Sequence, residues 1–204
     1  MNQKHQEDLS HIRSMMERSS RFISLSGLSG VFAGLSALIG GLYVYQLLKS
    51  NGLESFDDAD RLYSFNLVSE LIFIGVAILM AALTFGLFFT LRKSKKHNLP
   101  MWTTASKNLL FNLSFPLLAG GIFCLALIYH EIYVLIAPST LIFYGLALVN
   151  AEKYTFSDVK YLGYCELALG FASLFCLGYG LIFWILGFGI LHIVYGLVMF
   201  KKYK

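Results

Sequence analysis

The forty residues YLGYCELALGFASLFCLGYGLIFWILGFGILHIVYGLVMF, 161–200, contain no Lys, Arg or Asp, and they carry one carboxylate, Glu166, and one imidazole, His192. Gly178-Tyr179-Gly180 divides them into two apolar runs, each close to the roughly 20 residues that cross a hydrocarbon slab of about 30 Å. Neither run alternates polar with apolar residues, so neither suits a barrel strand. In lipid every backbone polar group must be paired internally, which leaves the helix. The segment therefore reads as two transmembrane helices.

The same reading extends outward to Phe22–Leu48, Leu67–Leu91, Leu109–Tyr129 and Ile132–Val149, which with Tyr161–Gly178 and Leu181–Phe200 make six spans in the 204 residues. Composition agrees: 57% of residues are hydrophobic, only 14% are charged and mean hydropathy is +0.66, far from the quarter charged of an ordinary soluble domain. Disorder and a nucleic-acid-binding domain are excluded on the same grounds. The expected fold is an all-α polytopic membrane bundle over residues 22–204, preceded by an amphipathic juxtamembrane helix over 1–21.

Lys and Arg in short loops stay on the cytoplasmic side. With the N-terminus inside, all 16 Lys and Arg residues but Lys49 and Arg61 fall there, including the cluster Arg92, Lys93, Lys95 and Lys96 and the terminal Lys201, Lys202 and Lys204. Both termini are thus expected in the cytoplasm, with anionic inner-leaflet lipid as counterion. The short-loop layout points to a bacterial cytoplasmic membrane. Tyr43, Tyr45, Tyr63, Tyr129, Tyr133 and Tyr179 fall at outer ends and Trp102, Tyr154, Tyr161 and Tyr203 at inner ones, where amphipathic rings sit. No small-x-small site follows a short apolar core, so no cleaved signal peptide is expected.

Outside the spans, Leu9, Ile12, Met16 and Ile23 make an apolar stripe with Arg13, Glu17, Arg18 and Arg21 mostly off it. This suits a helix on the inner leaflet or one that docks a protein partner. Glu54, Asp57, Asp58 and Asp60 form an acidic outer loop without the ligand alternation of a calcium site. Cys124, Cys165 and Cys176 lie within spans and form no disulfide framework. No haem or zinc pattern is present, and no cofactor or metal is expected.

Ionisable groups at membrane depth are functional candidates by default. Glu166 and His192 each lie 13 residues from Tyr179, which places them level, about 20 Å from the outer turn at 1.5 Å per residue. Gly163 and Gly170 flank the first as Gly189 and Gly196 flank the second, and an antiparallel hairpin would stack these glycines in layers around a facing pair. That makes a candidate proton site or pH switch. Asn108 and Asn112, with Ser26 or Ser29, are candidate lining of a polar cavity on the cytoplasmic side, beside a kink at Pro138, Ser139 and Thr140. In the first span Ser26, Gly30 and Gly34, and again Ser29, Ala33, Ala37 and Gly41, recur every four residues, which predicts a central helix approached closely from two sides.

Gly27-Leu28-Ser29-Gly30 resembles the GxSG of rhomboid intramembrane proteases, a family with a six-helix core and a histidine on its last core helix, as His192 is here. The resemblance implies Ser29 as nucleophile and His192 as base. It covers four residues, stands on the first span where the family has it on the fourth, and lacks the family's second-span histidine and asparagine; an intramembrane enzyme is the remote alternative. The sequence points first to a non-catalytic accessory or regulatory membrane protein docking a partner at the cytoplasmic face, and second to a small proton-linked transporter or channel, which a homo-oligomer would suit, using Glu166 and His192.

Overall fold

The structure, a computed structural model, describes residues 26–53, 63–96, 98 and 100–203. The amphipathic helix expected over 1–21 and the acidic loop at Glu54 to Asp60 lie outside these residues. Among the described residues there are six long helices and no strand. They are α1 (Gly27–Ser50), α2 (Phe65–Lys96), α3 (Thr104–Tyr129), α4 (Ile136–Ala151), α5 (Val159–Phe175) and α6 (Gly180–Lys202). A 3-10 turn, Tyr133–Leu135, leads into α4. Five of the six, with α4 counted together with its flanking 3-10 turns as Tyr133–Tyr154, are long and apolar enough to cross a membrane; α5, at 17 residues, spans only about 26 Å at 1.5 Å per residue. The chain is a helical membrane protein.

Local chemistry explains where several helices begin and end. Thr103 and Ser106 form a reciprocal cap at the start of α3: Ser106 N–H donates to Thr103 Oγ1 at 3.1 Å and Thr103 N–H to Ser106 Oγ at 2.8 Å. Pro116, inside the same helix, has no N–H to give Asn112, four residues earlier. The freed Asn112 carbonyl accepts instead from Asn150 Nδ2 of α4 at 2.9 Å. Gly178, at φ 82°, takes the left-handed turn between α5 and α6 that a side chain would resist.

The helices gather in two groups. α1 packs between α2 and α6, while α4 packs between α3 and α5, and contact between the two groups is thinner. Thus α5 and α6, consecutive in sequence, lie mainly against other helices. The small residues of α1 explain its two-sided packing: a Cβ on Gly34 would meet Gly189 O of α6 at 2.7 Å, and one on Gly40 would crowd Ile78 of α2. Phe32 adds ring contacts to Phe85 and Phe89 of α2 at 5.3 and 4.9 Å.

One polar clasp joins the groups at the end where α5 starts and α6 finishes. Lys202 Nζ donates to both oxygens of Asp158, at 3.0 and 2.8 Å, and Tyr203 OH donates to Oδ2 at 2.8 Å. The Lys202 hydrogen bond holds the Asp158 carboxyl below its ordinary value, with the Tyr203 hydroxyl and the nearby Lys160 charge acting in the same direction and burial against them. A carboxyl lowered by folding contributes stability above about pH 4 and loses it as acid titrates the folded form. Asp158→Asn is therefore expected to cost about 0.5–1 kcal/mol at neutral pH, since Lys202 is half exposed. Thermal unfolding at pH 7 and pH 3, on the acid side of about 4, checks this: the gap between variant and parent should narrow in acid, and an equal gap at both values would refute it.

Candidate functional site

Glu166 has no exposed surface and His192 is 6% exposed. Each stands on a different helix group, Glu166 on α5 and His192 on α6, and His192 Nδ1 lies 3.3 Å from Glu166 Oε1. The same nitrogen lies 3.0 Å from Gly187 O, and Nε2 lies 2.8 Å from the hydroxyl of Tyr144 on α4. A backbone carbonyl only accepts, so Nδ1 carries the hydrogen that bonds Gly187. In a neutral ring Nε2 then accepts from Tyr144. The carboxylate stands within ion-pair range of Nδ1 but receives no hydrogen bond from it, and neither oxygen of Glu166 has a hydrogen-bond partner among the described residues.

The backbone of α6 is shaped for this contact. Residues Ile185–Leu191 wind as a π-helix that ends where His192 begins. Such wide turns are rare and cluster at functional sites. Gly187 sits in this stretch, and a Cβ there would stand 2.5 Å from Glu166 Oε2 and 2.6 Å from Leu141 Cδ2. The missing side chain is the space that the carboxylate occupies.

The flanking glycines do not form layers between α5 and α6. A Cβ on Gly163 would meet Gly145 O at 2.9 Å and one on Gly170 would meet Ile142 Cγ1 at 2.7 Å, both on α4, whereas Gly189 faces Leu38 and Gly196 faces Gly27 and Val31 on α1. The expected hairpin layers are corrected: each glycine pair serves a neighbour that the turn at Gly178 does not connect.

A cavity of about 160 Å³ lies between the groups and is lined by Ser26, Ser29, Tyr144, His192, Tyr195 and apolar residues of α1, α2, α4, α5 and α6. The two serines belong to it, but the expected asparagines do not. Asn112 Nδ2 turns back to Asn108 O at 2.8 Å, and Asn108 is exposed. Pro138 does not line the cavity either. It lies in the first turn of α4, where a missing N–H costs nothing, and the Ser139 and Thr140 hydroxyls bond back to Leu135 O and Ala137 O.

Ser29 donates its hydroxyl hydrogen to Ser26 O, and His192 Nε2 is held by Tyr144, so the serine and imidazole share a cavity wall without the mutual hydrogen bond a nucleophile needs. Tyr144 and Gly187 are the members of the site that sequence reading missed. Tyr144 is one aromatic in an apolar run; Gly187 offered a usable signal, since Gly187-Phe188-Gly189 lies within two turns of an intramembrane histidine. Compared with known protein families, with curated proteins and with solved structures, the chain matches none.

Proposed function

We propose that this is a six-span protein of the bacterial cytoplasmic membrane, both termini inside, in which Glu166, His192 and Tyr144 bind a proton as part of a small proton-linked transporter or channel. One observation carries the reading: a carboxylate with no exposed surface whose oxygens accept no hydrogen bond from the described residues, 3.3 Å from an imidazole nitrogen. An ionised carboxylate left so at this depth costs several kcal/mol unless a proton sits on it or on its neighbour. A structural clamp would satisfy the oxygens, and no described residue does so. The location between two thinly joined helix groups adds support, because a charge change there acts on the surface along which the groups can shift. The 17 residues of α5 make the sixth crossing where the bilayer thins locally around them.

Infrared difference spectra of the protein in nanodiscs, recorded between acid and alkaline buffer, test the reading. A carboxylate difference band that disappears in Glu166→Gln is expected, as the proton settles on the His192 ring beside that carboxylate, with helical circular dichroism unchanged. The same band persisting in Glu166→Gln would remove the pair from proton binding. Partner docking, which would make the chain an accessory or regulatory protein, rests on residues 1–21, outside the described residues; co-purification with and without residues 1–20 tests it separately.

A further inference from the structure

We infer that the cavity bounded by Tyr144 and His192 binds a small uncharged molecule bearing a hydrogen-bond-accepting oxygen on an apolar body, and binds it more tightly when the neighbouring pair has taken up a proton. This rests on the proton-binding reading above. The volume, about 160 Å³, suits a molecule of roughly benzene's bulk. Among the described residues no Lys, Arg, Asp or Glu lines it, and none of them offers a fixed counter-charge for an ionic ligand. Leu148, Val159, Leu162 and Met199 supply an apolar surface for the body of the ligand.

The link to protonation runs through one hydroxyl. While the imidazole is neutral, Nδ1 donates to Gly187 O and Nε2 accepts the hydrogen of Tyr144. A proton taken up on the ring, beside the Glu166 carboxylate, puts a hydrogen on Nε2, which then donates to the Tyr144 oxygen. Tyr144 must turn its own hydrogen elsewhere, and an unsatisfied buried donor is costly. An accepting oxygen in the cavity takes that hydrogen; a hydrocarbon of the same shape cannot. The titratable groups facing the ring are Glu166 from α5, Tyr144 from α4 and Tyr195 on α6, while α1 and α2 contribute only uncharged residues, among them Ser29 and Gly86. By reciprocity the ligand also tightens the proton, so the two bind together.

Saturation-transfer NMR on the full chain in nanodiscs, with cyclohexanone as the accepting probe and benzene as its hydrocarbon counterpart, tests this. Cyclohexanone should bind about tenfold more tightly in acid buffer than in alkaline buffer, while benzene binds equally in both. Gly86→Leu should abolish cyclohexanone binding, because Gly86 lines the cavity and a Cβ there meets nothing within 4 Å, so the added side chain fills space without moving backbone. Tyr144→Phe should retain binding and lose its pH dependence. Cyclohexanone transfer that survives Gly86→Leu, or that is independent of pH in the parent, overturns the proposal. If cyclohexanone fails while the Glu166 carboxylate band titrates, the ligand site alone falls; if the band is missing as well, the proton-binding reading falls with it.

Discussion

Gly196→Val is expected to destabilise the bundle by about 3 kcal/mol, the upper end of ordinary overpacking costs, because the obstacle it meets is main chain. A Cβ on Gly196 would stand 2.5 Å from Val31 N and 2.7 Å from Gly27 O, and α1 cannot yield there without losing its approach along Gly30 and Gly34 as well. Unfolding in mixed micelles at rising dodecyl sulfate, followed by circular dichroism, measures the loss. Gly75→Ala is the matched control: nothing lies within 4 Å of its Cβ, and exchanging glycine for alanine in a helix gains about 0.5 kcal/mol. Equal stability of the two variants would mean that α1 and α6 do not cross at these glycines.

Gly187→Ala should have the opposite character, sparing the bundle and disabling the site. The atoms its Cβ would strike, Glu166 Oε2 and Leu141 Cδ2, are side-chain ends that can swing aside. When they do, the carboxylate leaves His192. A double-mutant cycle of Glu166→Gln and His192→Gln is expected to give a coupling of about 1.5–3 kcal/mol in the parent, as for hydrogen-bonded or close charged groups in a buried setting, and almost none in the Gly187→Ala background. A coupling that is unchanged by Gly187→Ala would show that this glycine does not hold the pair together.

The helices were legible because hydrocarbon imposes a length and forbids an unpaired backbone. Tyr129 closes α3 as the sequence suggests, and α2 extends to Lys96 because charged residues can continue a helix beyond the apolar slab. The meeting of Glu166 and His192 was legible for a similar reason: counting residues from a shared turn gives depth, and depth depends little on which helices touch. Neighbour choice was not legible. Gly163, Gly170, Gly189 and Gly196 carry the same small-residue signature whatever helix they face, so a reading that pairs consecutive helices assigns them wrongly. The π-helical winding was also hidden, since Ile185–Leu191 differ from any apolar helix only in the two glycines. Asn112 misled because its partner requirement came from Pro116 and was met by Asn150.

The seating of the last helix against the first bears on how the chain is made. Until Gly180–Lys202 has left the ribosome, α1 has no surface to receive Gly30 and Gly34, and the nascent protein must hold that helix in lipid with one side uncovered. Assembly is therefore a late event that joins helices far apart in sequence, slow by its long loop closure and vulnerable to interruption. A chain truncated before α6 would insert its earlier helices yet display a glycine-lined flank to the quality-control proteases of the membrane.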